Sequence, residues 1–193
     1  MTTTNQTHER ILSVADEMFA TRGYKSVRLR DIATALEMKH TALYYYAQNK
    51  EALYMQVMER NFSRHQQQME AQIAGAGEDI RAQMQAVAVW LMSQPPLNIG
   101  RMMQSDFAEL SAENARKLTV LLFDALRIPL ERAIEQAQQD GIIALDNPGI
   151  GAISFISLIE TLNAIHGTLT HEERLPVIEN IIDMLLKGWL SRE

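Results

Sequence analysis

A short segment that begins at residue 39 holds side chains that could contact a nucleic acid. Lys39, His40 and Thr41 come first, and three consecutive tyrosines occupy positions 44 to 46. Lysine can donate to the edge of a guanine, and threonine can touch a phosphate or the methyl group of a thymine. A small helix has room for only one or two large side chains in a core, so at least one phenol ring must face outward. We therefore predict an exposed recognition segment here.

Two short helices and a turn are predicted to position these side chains. A first helix over about 27–36 has apolar residues at helical spacing, so one of its faces must dock against a core. A turn at Glu37-Met38 follows, and a second helix over about 40–46 turns Ala42 and Leu43 inward. Asn49 is a suitable N-cap for the next helix. This is a helix-turn-helix pattern, and its second helix is short enough to enter a major groove about 12 Å wide.

The segment GYKSVRLRDIATALEM and, after it, TALYYYAQNKEAL resemble the TetR family of one-component transcriptional regulators in residue order and spacing. The resemblance implies an all-α protein of about nine helices, with a three-helix helix-turn-helix head and a larger helical body. We expect a DNA-binding domain at residues 1–50 and an effector-binding and dimerisation domain at residues 51–193. The alternative is a three-helix packing element without a role in DNA binding.

Nine residues are candidates for DNA contact. Tyr44 and Tyr46 match the family's pair of aromatic residues in the third helix, and Lys50 matches a lysine that relatives place against the DNA backbone. The set is Arg28, Arg30, Lys39, His40, Thr41, Tyr44, Tyr45, Tyr46 and Lys50.

The sequence also departs from the family pattern. Glu37 replaces the turn glycine, Lys39 replaces the usual Ser or Thr cap, and Val27 replaces a common threonine. These departures predict an unusual operator.

The charges of the chain are unevenly distributed. The formal net charge is −6, yet residues 1–50 carry a balance of +2 and the remaining residues a balance of −8. An acidic body repels DNA and so helps to restrict contact to the basic N-terminal segment. The chain has no cysteine, no apolar run long enough to span a membrane and no signal-peptide pattern at its start. We therefore expect a cytoplasmic protein without a membrane partner.

Catalytic patterns are missing from the sequence. There is no glycine-rich phosphate loop, no HExxH motif and no cysteine nucleophile, and the five histidines lack the spacing of metal ligands. We therefore expect that the protein is not an enzyme and that it needs neither a cofactor nor a metal.

Methionine and aromatic residues recur in the part of the body between the predicted helices 4 and 8. Such residues line adaptable apolar sites as readily as they fill cores. The resemblance implies that a small, mostly apolar effector binds here, although core packing is the simpler interpretation of each residue taken singly. The candidates are Phe62, His65, Met69, Trp90, Met103, Phe107, Phe123, Arg127, Phe155, Asn163 and His166.

The last two predicted helices, over about 148–166 and 177–190, carry more apolar residues than one face needs. Part of this surface would be exposed in a monomer, which folded chains seldom allow. We predict a two-fold interface of four helices, two from each chain, as the family resemblance also implies. Packing inside one chain is the alternative. The candidate interface residues are Ile153, Ser157, Thr161, Ala164, Ile178, Ile182, Leu185 and Trp189.

These expectations describe a homodimeric DNA-binding repressor. The dimer would bind a palindromic operator on double-stranded DNA, and a small-molecule effector would release it. Two alternatives stay open from the sequence. One is a small-molecule binding or scaffolding protein that keeps the head as a packing module, and the other is an activator of the same fold.

Overall fold

The structure, a computed structural model, describes residues 3–94, 99–165 and 171–189. Within these ranges the chain forms α-helices and turns without a strand, so the predicted all-α fold is confirmed. No helix in the described ranges has the length and apolar character to cross a membrane. The helices are α1 (Thr3–Arg22), α2 (Leu29–Ala35), α3 (His40–Leu43), α4 (Lys50–Gly75), α5 (Ile80–Ser93), α6 (Ile99–Arg101), α7 (Ala112–Gln139), α8 (Pro148–Ala164) and α9 (His171–Trp189). A π-helical turn (Met102–Asp106) and a 3-10 turn (Phe107–Glu109) follow α6.

The chain divides into two compact units. The first unit comprises residues 1–63 and 99–122, and the second comprises residues 64–98 and 123–193. Helices α4 and α7 therefore contribute residues to both units. The expected boundary at residue 50 separates a DNA-binding domain from an effector-binding and dimerisation domain, whereas these two units are defined by internal contacts. That boundary therefore stays a prediction.

The centre of the first unit is a cluster of three aromatic rings. The ring of Tyr54 lies 5.0 Å from Phe19 and 4.8 Å from Tyr24, both in edge contact. Edge-to-face geometry brings the positive edge of one ring against the negative face of another. Helices α1 and α2 pack on each other, and so do α2 and α3. This core holds α1, α2 and α3 together as a three-helix head.

The loop after α1 is fixed by a carboxylate from the π-helical turn. Gly23 adopts a φ of 76°, a left-handed conformation that suits glycine. The next backbone amide, that of Tyr24, donates to Oδ1 of Asp106 over 3.1 Å. Asp106 is buried, with 8% of its surface exposed. The lysine that follows, Lys25, forms a 3.0 Å ion pair with Glu109 on the adjacent 3-10 turn.

Replacing this carboxylate should destabilise the head. Asp106→Ala leaves the buried N–H of Tyr24 without an acceptor, so we expect a loss of about 1.5–3 kcal/mol in the free energy of unfolding. Asp106→Asn keeps an acceptor oxygen and should lose less. Urea unfolding measures both, and the exposed neighbour change Ser105→Ala should stay within about 0.5 kcal/mol of the unmodified chain. Equal stability of all three variants would contradict this role.

The turn between α2 and α3 has a non-glycine residue in a left-handed conformation. Glu37 has a φ of 55°, as expected from its place at the position of the family's turn glycine. Its neighbour Met38 donates its amide to the carbonyl of Ala33 over 2.9 Å, and the amide of Glu37 donates to Thr34 over 3.0 Å. These bonds close the end of α2 as in a Schellman motif. The chain can therefore turn sharply into α3.

Helices α5, α8 and α9 pack against one another in the second unit. Asp79 caps α5 by accepting from the amide of Ala82 over 3.1 Å, and Asn147 caps α8 by accepting from Ile150 over 3.0 Å. Pro148 follows Asn147 at the first helical position, where its missing N–H costs nothing. The expected start of α8 is therefore confirmed.

The structure corrects the expected start of α9. The sequence predicts this helix over about 177–190. Instead α9 begins at His171 and runs through Pro176. Because proline has no N–H, α9 lacks one backbone hydrogen bond in its second turn and continues without it.

Candidate nucleic-acid interface

The side chains of α3 and its immediate flanks form one exposed surface, which we call the α3 surface. Helix α3 is anchored by Leu43 and Ala47, which are 0% and 3% exposed. Tyr45 is 80% exposed and Tyr44 is 47% exposed. The α3 surface consists of Lys39, His40, Thr41, Ala42, Tyr44 and Tyr45, all exposed.

Ala42 belongs to this surface, although the sequence pattern placed it inward. The inward positions are Leu43 and, four residues later, Ala47. Because adjacent residues on a helix point about 100° apart, Ala42 is turned away from that anchor. A four-residue helix has too few positions for a periodic pattern to identify its buried face, which is why sequence reasoning missed Ala42.

Aromatic contacts hold the rings of the α3 surface in place. The rings of His40 and Tyr44 lie 5.0 Å apart in edge contact, and those of Tyr45 and Tyr46 lie 5.2 Å apart. Each exposed phenol ring therefore has a neighbour that restricts its rotation. Restricted side chains lose less entropy when they bind a partner.

Tyr46 is directed differently from the two preceding tyrosines. Its ring stacks on His8 of α1, with centroids 5.9 Å apart and an interplanar angle of 15°. Gln56 of α4 donates to the carbonyl of Tyr46 over 3.1 Å, and its Oε1 lies 2.8 Å from Nε2 of His8. Tyr46 thus joins α1, α3 and α4 in the first unit. Its expected contact with DNA stays a prediction.

Lys50 is also engaged within the head. Its ammonium donates to the carbonyl of Tyr24 over 3.0 Å and lies 4.0 Å from the centroid of the Tyr24 ring. Burial lowers the pKa of Lys50. To reach a phosphate the ammonium would have to leave Tyr24, so this predicted contact has less geometric support than those of the α3 surface.

Two arginines near the start of α2 are accessible. Arg28 occupies the N-cap of α2, and its backbone amide donates to Oδ2 of Asp31 over 3.1 Å. Arg30 lies on the first turn, with 66% of its side chain exposed and Nε 3.7 Å from Oδ1 of Asp31. An exposed ion pair of this length contributes little. The guanidinium of Arg30 can therefore exchange Asp31 for a phosphate at small cost.

The candidate effector residues divide between the two units. Phe62, Met103 and Phe107 lie in the first unit, and the other described candidates lie in the second. Met103 and Phe123 are each 37% exposed, whereas Met69 and Phe155 are fully buried. Full burial fits the simpler interpretation of core packing. His166 lies outside the described residues.

Two polar candidates for effector binding have partners within the chain. Arg127 pairs with Asp124 over 3.2 Å and forms a close ion pair with Glu131. Asn163 is 2% exposed, and its Nδ2 donates to the carbonyls of Leu91 and Gln94, each over 3.2 Å. Asn163 therefore donates hydrogen bonds to carbonyl groups at the C-terminal end of α5.

His65 differs from those polar groups because one of its nitrogens lacks a partner. Its Nε2 is buried without a hydrogen-bond partner among the described residues. Its ring lies 4.6 Å from the ring of Trp90. Burial, with a smaller contribution from the charge of Arg64, lowers the pKa of His65 to about 4. His65 is therefore a neutral imidazole near pH 7.

This lowered pKa predicts a pH-dependent stability. The unfolded chain binds the proton of His65 more readily than the folded chain, because the unfolded pKa is near 6.5. The free energy of unfolding is therefore highest above about pH 6.5, where His65 is neutral in both states. It falls by up to about 3 kcal/mol as the pH drops toward 4. His65→Gln should flatten this part of the stability profile, measured by urea unfolding at several pH values. The exposed neighbour change Gln67→Ala should retain it, and identical profiles for the two variants would contradict the assignment.

Two residues of the expected dimer interface pack inside the chain. Ile178 and Ile182 are 2% and 1% exposed, so they have almost no surface left for a partner to cover. Trp189 lies against α8, because a Cβ at Gly151 would be 3.3 Å from its ring, and its carbonyl accepts from the amide of Ala144. The regular apolar spacing of α9 is thus largely explained by packing within the second unit.

Helix α8 retains an exposed and uncharged face. Ser157, Thr161 and Ala164 are exposed, as expected of interface residues, whereas Ile153 and Leu185 are half-buried. Three large apolar side chains of this region that were not among the candidate interface residues are also exposed, namely Ile150, Leu158 and Ile165. We call the full set the α8 face: Ile150, Ser154, Ser157, Leu158, Thr161, Ala164 and Ile165, all exposed.

Two hydroxyl groups on the α8 face donate to carbonyl groups of their own helix. Ser157 donates to the carbonyl of Ile153 and Thr161 to that of Ser157, each over 2.7 Å. A polar group that already has a hydrogen bond costs little to bury. An apolar partner can therefore cover Ser157 and Thr161 at little cost.

The chain is similar to known regulators in sequence and in fold. Residues 11–57 match the family described as bacterial regulatory proteins, tetR family. No curated protein sequence gives a significant match.

Several solved structures resemble the whole chain. E. coli NemR in its reduced form has a TM-score of 0.75 at 18% identity, and the alignment covers 96% of this chain and 97% of that chain. The fatty acid degradation regulator FadR from Bacillus halodurans has a TM-score of 0.72 at 16% identity, with coverage of 96% and 97%. A candidate transcriptional regulator from Pseudomonas aeruginosa PAO1 has a TM-score of 0.80 at 16% identity, with coverage of 97% and 94%. At such identities the likeness establishes the fold.

Proposed function

Because the chain belongs to the TetR family of bacterial regulatory proteins, we propose that it is a homodimeric repressor. In this proposal the dimer binds a palindromic operator in the cytoplasm, and a small effector releases it. Membership of the family supports the broader description of a DNA-binding transcriptional regulator.

The α3 surface carries this proposal. Tyr44 and Tyr45, 47% and 80% exposed, place two aromatic side chains side by side at the surface, and aromatic residues are enriched at binding interfaces. Lys39 begins the same surface, and the exposed Arg30 lies on the preceding helix. Cations next to an exposed short helix fit phosphates that flank a major groove.

The α8 face supports the dimer. It is uncharged and includes Ile150 at 61%, Ile165 at 49% and Leu158 at 38% exposure. An apolar stripe of this kind is self-complementary across a two-fold axis. A two-fold dimer presents two α3 surfaces to one duplex, and half-sites one helical turn apart would lie about 34–36 Å from each other.

His65 and Trp90 support the binding of an effector. A neutral imidazole with a buried, unpartnered nitrogen can hydrogen-bond to one polar group of a ligand whose apolar part contacts the indole ring. An effector that prefers the conformation unable to bind DNA would shift the population away from the operator. The size of that shift equals its difference in affinity for the two conformations.

Selection of duplexes from a random pool, followed by fluorescence anisotropy, tests this function. We expect enrichment of a palindromic sequence whose affinity falls steeply with salt. Lys39→Ala should weaken binding and lower the slope of log K against log salt by about 1 if Lys39 neutralises one phosphate. Gln67→Ala, exposed on α4, is the matched control.

The possible outcomes separate the alternatives. Failure to bind any duplex at low salt would favour a small-molecule binding or scaffolding protein of the same fold. Specific binding that raises transcription from the operator promoter would indicate an activator.

A further inference from the structure

We propose that the α3 surface reads thymine methyl groups, so that each half of the operator sets at least one thymine against Thr41, Ala42 and Tyr45. This readout presupposes the proposed operator binding and specifies which base that binding selects.

The residue types of the α3 surface leave thymine as its best match. In the major groove, adenine is typically read by Asn or Gln, cytosine by Asp or Glu, and guanine by Arg or Lys. Residues 39–46 contain none of Asn, Gln, Asp, Glu and Arg. Lys39 is the single lysine among them. Thymine is distinguished by its C5 methyl, which is recognised by apolar contact rather than by hydrogen bonds.

The apolar groups of the α3 surface lie together. Thr41 and Ala42 are adjacent exposed residues, each with a methyl group. The amide of Tyr45 donates to the carbonyl of Ala42 over 3.3 Å, so one tight helical turn separates them. Residues three apart in such a turn lie one above the other. Ala42 and Tyr45 therefore share one side of the surface.

The Tyr45 ring is accessible yet held in place. It is 80% exposed, and its edge contact with Tyr46 at 5.2 Å restrains it. Tyr46 is itself stacked on His8 of α1. A base can therefore meet a ring of defined position next to two methyl groups, whereas His40 and Tyr44 form a separate pair with each other.

Deoxyuridine tests this readout directly, because it differs from thymidine only by lacking the C5 methyl. In the enriched operator, each half-site thymine is replaced in turn by deoxyuridine, and affinity for the full-length protein is measured by anisotropy. We expect about a fourfold loss of affinity for each methyl that the α3 surface contacts, the size expected for one buried methyl-sized group. Deoxyuridine at thymines outside the half-sites should leave the affinity unchanged.

Variants of the protein complete the test. Ala42→Gly removes the protein methyl and should reduce the difference between thymidine and deoxyuridine at the affected position, whereas His40→Ala should preserve it. An operator that tolerates deoxyuridine at every half-site thymine, or one without half-site thymine, would overturn the inference and leave the proposed function intact. Failure to enrich any duplex would overturn both.

Discussion

Thr161→Arg is expected to convert the proposed dimer into monomers and to weaken operator binding by at least about a hundredfold. Thr161 lies in the α8 face, whose described members carry no charge. A two-fold interface would bury two guanidinium groups near each other without carboxylate partners, at a cost of several kcal/mol for each. Separated monomers lose the high effective concentration that joins two half-site contacts, which is typically worth a factor of about 10²–10⁴.

Sedimentation equilibrium and anisotropy on the full operator measure these two effects. Gln138→Arg, an exposed position on α7, adds the same charge away from the α8 face and should change neither result. A Thr161→Arg protein that remains dimeric would place the interface elsewhere. One that becomes monomeric yet binds the operator as before would contradict the need for a dimer.

Phe155→Ala is expected to lower the free energy of unfolding by about 3–5 kcal/mol, the range for removing a fully buried phenylalanine. Phe155 is 0% exposed on α8 and does not belong to the α8 face. The loss combines apolar transfer with a cavity that the surrounding helices cannot fully close. Urea unfolding measures it, with Val89→Ala on α5, 40% exposed, as the control that should change stability by less than about 1 kcal/mol.

This variant also tests whether Phe155 belongs to the core or to an effector site. A protein with nearly unchanged stability would indicate that the ring borders open space that a ligand could fill. In that case Phe155 would be interpreted as part of an effector site rather than of the core.

The head was predictable because local patterns determine it. The helical spacing that ends at Leu36, the turn at Glu37 and the three tyrosines all act over a few residues, and the structure has a turn and an exposed helix there. Contacts between distant parts of the chain were not predictable. The stacking of Tyr46 on His8 and the bond from Lys50 to Tyr24 join residues that are remote in sequence.

Periodicity alone could not divide the apolar residues of α8 and α9 between the interior and an interface. Ile178 and Ile182 repeat with the same spacing as residues of the α8 face, yet they are buried inside the second unit. Which stripe remains exposed depends on where α5 packs, and no local pattern carries that information. The effector candidates show the same limit, since Met69 is fully buried, whereas His65, four residues earlier on α4, is half-buried and has an unpartnered Nε2.

The first compact unit is discontinuous along the chain, and this affects any attempt to graft its head onto another protein. Glu51 accepts from the amide and the hydroxyl of Ser111 and from Asn114, over 2.9, 2.6 and 2.7 Å. Together with the bond from Tyr24 to Asp106, these contacts tie the start of α4 and the loop after α1 to residues about 60 to 80 positions later. A fragment cut after α3 or midway through α4 discards those partners. A chimera built on this head should therefore carry residues 99–122 as well, joined to the head by a designed connection.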